Sequence, residues 1–155
     1  MKTLFSVLLL STAVLSFAAE ASVDPLDAVG DRCAPGDVIY YGQNLKHTKE
    51  VLICQYGTNV FYSFGKVGQK AELDIKSDNI ETTAVVVTDD VQSSEYLYVP
   101  NGNITYRVGY TGDLIQPGKS NDAVYVFSSK QEKPIAVIEL DPNTVINGIR
   151  NSFVQ

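Results

Sequence analysis

The chain has 155 residues, 45% of them hydrophobic, and carries 18 acidic against 12 basic side chains for a formal charge of −6. That acidic balance disfavours nucleic acid and anionic lipid as partners, since both are held through Lys and Arg. With one histidine, two cysteines and no Gly-x-Ser-x-Gly, neither a Ser/His/Asp nor a Cys/His nucleophile arises from a recognisable motif.

Residues 1–21 read as a cleavable export signal. Lys2 supplies the positive start, Leu4 to Phe17 the apolar run, and Ala19-Glu20-Ala21 the small-x-small cleavage site, which places the processed start at Ser22. Cleavage removes Lys2 and Glu20 and leaves the charge at −6. No cysteine follows a lipobox-like sequence, Cys33 being preceded by Gly30-Asp31-Arg32, and no later apolar run approaches the roughly 18 residues of a spanning helix. The expectation is a single exported domain over 22–155, periplasmic or secreted, without membrane insertion. In an oxidising compartment Cys33 and Cys54 are each other's only partners, so one intrachain disulfide is expected, stabilising by roughly 3 kcal/mol through a loop of about 22 residues. A Cys/His zinc site would lack ligands, and no cofactor is implied.

Strands follow in short β-branched and aromatic runs: Asp37 to Gly42, Glu50 to Tyr56, Asn59 to Phe64, Ala71 to Lys76, Thr82 to Thr88, Glu95 to Val99, Asn103 to Tyr110, Ala123 to Ser128 and Ile135 to Leu140. Their number and spacing predict an all-β fold, an antiparallel β-sandwich or small β-barrel. Between the first two, His47 lies in a polar connector and reads as a solvated loop residue. The hairpin from Val51 to Phe64 turns at Gly57-Thr58, which sets Cys54 opposite Phe61, Ile53 opposite Tyr62 and Val51 opposite Phe64. Gly65 to Lys70 lacks the ending of a phosphate loop and reads as a strand connection.

Oxygen donors gather at Asp74, Asp78, Asn79 and Glu81, with Asp89-Asp90 beyond, a set that would suit calcium but lacks EF-hand spacing. Turn and solvent-facing roles account for them as well, and no metal site is assigned. Carboxylate-only hydrolysis would draw on Glu72, Asp74, Glu81, Asp89, Asp90 or Glu95, given two acids close together across a cleft.

The second hairpin centres on Asn101-Gly102, a dipeptide suited to a type I′ turn. Pairing outward from it sets Val99 opposite Ile104 and Leu97 opposite Tyr106 on the core side, and Tyr98 opposite Thr105 and Tyr96 opposite Arg107 on the outer side. Tyr96, Tyr98, Thr105 and Arg107 are the candidate partner-binding row, with the guanidinium placed to stack on Tyr96. Tyr40, Tyr41 and Tyr110 lie beside polar segments and extend the tyrosine surface. The loops Gly65 to Gln69 and Thr111 to Asn121 are further places for specificity. At the C-terminus Asp141 caps, Pro142 takes the first helical position, and Val145, Ile146, Ile149 and Phe153 recur at helical spacing, predicting a short helix across one end of the sheets.

The runs Leu52-Ile53-Cys54, Val60-Phe61-Tyr62-Ser63-Phe64-Gly65, Ala71 to Ile75 and Asn101 to Val108 resemble small exported bacterial β-proteins without a defined activity, and more distantly the periplasmic inhibitors of C-type lysozyme. The resemblance implies a disulfide-pinned β domain that binds an envelope protein. Those inhibitors carry a Ser-Gly-x-x-Tyr segment that this sequence lacks, so no inhibitory residue carries over. The reading that unites these features is an exported binding or inhibitory protein, non-enzymatic, recognising another envelope protein. Its charge favours a basic one such as a cell-wall hydrolase or toxin. A structural or assembly component of the envelope and a carboxylate-type hydrolase are the alternatives.

Overall fold

In the computed structural model the described residues are 24–78, 83–115 and 120–153. The proposed export signal, Asn79 and Glu81 lie outside them. Among the described residues ten strands form two antiparallel sheets. Sheet 1 has the order β10-β1-β2-β3-β4 and sheet 2 the order β5-β6-β7-β8-β9. The strands are β1 (Asp37–Gln43), β2 (Lys49–Tyr56), β3 (Asn59–Lys66), β4 (Leu73–Asp78), β5 (Thr83–Thr88), β6 (Gln92–Asn101), β7 (Ile104–Asp113), β8 (Ser120–Ser128), β9 (Ala136–Glu139) and β10 (Ile146–Asn147). Two separate sheets closing on a shared core make this a sandwich rather than a barrel.

The core lies between the inner faces. Ile39, Tyr40, Val51, Ile53, Val60 and Tyr62 of sheet 1 meet Leu97, Val99, Val108 and Val124 of sheet 2, with Leu140 and Ile149 closing one end. Tyr62 and Tyr106 touch across the gap with ring centroids 5.1 Å apart. The β2–β3 hairpin has the register expected from Gly57-Thr58, Cys54 opposite Phe61 and Ile53 opposite Tyr62, with Gly57 at φ 58°.

A register irregularity between Val38 and Tyr40 lets β1 bury two consecutive residues, Ile39 and Tyr40, in the core, and puts Tyr41 on the outer face of sheet 1. That outer face is covered. Asp24 caps helix α1 (Pro25–Val29), and a 3₁₀ turn over Gly30–Cys33 leads into the Cys33–Cys54 disulfide. Val29 and Cys33 thereby pack on Tyr41 and Leu52. Tyr40 and Tyr41 are therefore 0% and 1% exposed, not members of the tyrosine surface expected from their polar flanks. A run of four apolar residues, Val38 to Tyr41, belongs to a strand buried on both faces.

Two further expectations are corrected. The β6–β7 turn is centred on Gly102-Asn103, with Gly102 at φ 61° and Asn101 opposite Ile104. This register sets the fully buried Leu97 and Val108 opposite each other and needs positive φ only at the glycine. The short helix expected at the C-terminus is present but starts at Ile149 rather than at Pro142. Asp141 caps a 3₁₀ turn over Pro142–Thr144, β10 then pairs with β1, and only α2 (Ile149–Phe153) is helical. Pairing with the edge of β1 sends Val145 to the core and Ile146 to the opposite side of sheet 1, so their adjacency did not mark one helical face.

Candidate functional site

Along β6 the inward residues Leu97 and Val99 alternate with Tyr96, Tyr98 and Pro100 on the outer face of sheet 2, and along β7 Val108 alternates with Thr105, Arg107, Gly109 and Thr111. The shift of the turn moves the pairing by two residues and so keeps every side chain on its expected face. Tyr96, Tyr98, Thr105 and Arg107 share that face as expected, with Arg107 opposite Tyr98 rather than Tyr96.

The register extends one row across the whole sheet, Thr83, Tyr98, Arg107, Tyr125 and Val137, and a second through Val85, Tyr96, Gly109, Ala123 and Glu139. Antiparallel sheets with one wet face are ordinarily polar outside. Here Val85 and Val87 on the β5 edge and Val137 on the β9 edge are exposed, the last two at 53% and 50%.

Arg107 sits at the centre of this face. Its guanidinium carbon is 4.1 Å from the ring centroid of Tyr125, 4.5 Å from that of Tyr96 and 5.0 Å from that of Phe127. Each cation–ring contact is worth roughly 0.5–2 kcal/mol according to desolvation. Tyr96 and Tyr125 meet edge to face, and the Tyr96 hydroxyl hydrogen-bonds the Thr111 hydroxyl, which fixes the first ring. Burial pushes the Tyr125 hydroxyl above its usual range, the Tyr96 hydroxyl adds to the rise, and Arg107 opposes it. Gly109 beside Tyr96 has φ 146°, and a Cβ there would strike the Glu95 carbonyl, so this row admits no larger residue. The arrangement is rigid, aromatic and cationic at one point, a chemistry for binding.

No family model, curated protein or solved structure matches the chain.

Tyr125 and Phe127 are site members that the sequence reading missed. Both alternate with core residues on β8, but the long connection from β7 gave no turn from which to set that strand's register. Also missed was a groove of about 670 Å³ on the outer face of sheet 1, where the N-terminal arm stops short of β3 and β4. Leu52, Cys54 and Phe61 floor it, and Lys66, Asp74 and Lys76 stand at its rim, with Lys76 5.8 Å from the Phe61 ring.

Several of the carboxylates make structural contacts. Buried Glu50 accepts from Arg32 at 2.6 Å and from the Tyr41 hydroxyl at 3.1 Å. Glu95, an expected candidate acid, is buried and accepts from Arg150 at 2.8 Å and Asn147 at 3.2 Å. Asp122 accepts from the Tyr40 hydroxyl at 3.0 Å. Glu72 pairs with Lys49, Asp74 stands at the groove, and Asp90 is exposed. Asp89 caps its own turn, where the amides of Val91 and Gln92 hold its carboxyl below the usual range. Among the described residues no three His, Cys, Asp or Glu side chains gather as a metal site. His47 has φ 52° and is half exposed as expected for a loop residue, and its Nε2 lies 2.7 Å from Asp141 Oδ2.

Proposed function

We propose that this chain is an exported binding or inhibitory protein, which recognises another protein of the cell envelope through the outer face of sheet 2. The observation that carries the reading is the Arg107 guanidinium laid against Tyr96, Tyr125 and Phe127 in the middle of an apolar sheet face with exposed valines around it. Exposed apolar patches of this kind mark contact surfaces, and tyrosine and arginine are the residues that anchor them. The intrachain disulfide, with no free cysteine, suits an oxidising compartment. No helix among the described residues is long and apolar enough to cross a membrane. The charge of −6 steers the protein toward basic partners such as cell-wall hydrolases or toxins.

Affinity capture from an envelope extract, with the oxidised chain beginning at Ser22 as bait, tests the reading. Tyr96→Ala and Arg107→Ala are each expected to weaken retention of a specific protein about tenfold or more, the loss of a single hot-spot contact. Equal retention by both variants, with native dichroism, overturns the assignment of this face.

A further inference from the structure

Arg107 differs from the other arginines of the described residues. Arg32 pairs with Glu50 and Arg150 with Glu95, whereas Arg107 takes part in none of the ion pairs among the described residues. It is also the only cation at the outer-face positions of sheet 2 among those residues. Its surroundings are three aromatic rings, which attract a cation but offer no strong acceptor. The Arg107 Nε is the one buried side-chain nitrogen or oxygen among the described residues that lacks a hydrogen-bond partner. A guanidinium has five N–H donors in a planar fork and no acceptor, and this unmet Nε–H calls for an acceptor oxygen.

We infer that the group this face reads on its partner is a carboxylate, seated on the Arg107 guanidinium between Tyr96 and Tyr125. The inference rests on the outer face of sheet 2 being the contact surface, and adds the chemistry of the central contact. Two carboxylate oxygens match the spacing of the guanidinium fork, and the rings that flank it fix its orientation and exclude water, so the pair forms with little ordering cost. A phosphate would match the fork as well, but a dianion is repelled more strongly by a chain of charge −6. Long-range steering and the central contact thus favour opposite signs: a basic protein offering an Asp or Glu side chain, or a C-terminal carboxylate, at the point of docking.

The test follows the Arg107 Nε–H and the outer-face amides by nuclear magnetic resonance in the oxidised, processed protein. The probes are three peptides: acetyl-Ala-Tyr-Glu-Ala-amide, its Gln counterpart, and acetyl-Ala-Tyr-Ala with a free C-terminal carboxylate. At least one acid-bearing peptide is expected to shift the Arg107 signal saturably and to bind about tenfold more tightly than the Gln peptide, the scale of one charge-assisted pair. Which of the two does so assigns the source of the carboxylate. Arg107→Gln is expected to abolish the preference, and Arg107→Lys, which keeps the charge and loses the fork, to retain only part of it. Equal shifts of this face by the Glu and Gln peptides would overturn the carboxylate while leaving the contact face standing. Shifts confined to the rest of the molecule with all three would overturn both.

Discussion

Asp141 ties two segments together with a single side chain. Its Oδ1 accepts from the Asn143 amide at 2.9 Å, which opens the 3₁₀ turn, and its Oδ2 lies 2.7 Å from His47 Nε2 in the β1–β2 connection. The Asn143 amide first, and the His47 side chain second, hold the Asp141 carboxyl below its usual range. Because the unfolded carboxyl then binds its proton more readily than the folded one, this contribution is complete above about pH 4, and it fades as the pH falls through the lower folded value. Asp141→Asn is expected to remove that part of the acid limb, read as a flatter urea midpoint between about pH 5 and pH 2. A steeper limb in the variant would refute it. Single-residue roles of this kind were unevenly legible in the sequence. Alternation along two strands sufficed to put Tyr96, Tyr98, Thr105 and Arg107 on one face, because a period of two survives a two-residue slip. Partners from distant segments, such as Tyr125 for Arg107 or Asp122 for Tyr40, depend on packing that no local pattern encodes.

The N-terminal arm shows what one covalent link does for an element. α1 has five residues, far too few to hold as an isolated helix, and it lies on sheet 1 through Val29, Cys33 and the Arg32–Glu50 pair. Replacing Cys33 and Cys54 together by Ala is expected to cost about 2–4 kcal/mol, measured by urea unfolding against the oxidised protein. The same change should raise amide exchange in 25–35 ahead of the rest of the chain; uniform exchange would show the arm to be held by packing alone. The link itself was readable by elimination, two cysteines behind an expected export signal. The β2–β3 hairpin was readable too, because a glycine turn and apolar residues on both faces admit one register. The end of the chain was readable only in its last turns, where the expected helix stands. Its helical spacing was real, but the unpaired edge of β1 took Ile146 and Asn147 into the sheet. Backbone hydrogen bonding across a long sequence separation outweighed local periodicity there.

At the scale of the molecule, the number of strands predicted an all-β fold, while the choice of sandwich over barrel awaited the two sheets, since strand count alone does not say where a sheet closes. Net charge acts at this scale as well. Association with a basic partner is expected to slow by about tenfold or more between low salt and near 0.5 M, where the Debye length is only a few ångströms, with dissociation much less affected. Surface plasmon resonance at stepped ionic strength separates the two rates, and a salt-independent on-rate would remove steering from the account. The sheets also differ in dress: the segment from Pro25 to Cys33 lies over the outside of sheet 1, while the aromatic row occupies the outside of sheet 2. A partner seated on the aromatic row would therefore leave the Cys33–Cys54 clasp untouched on the far side of the sandwich.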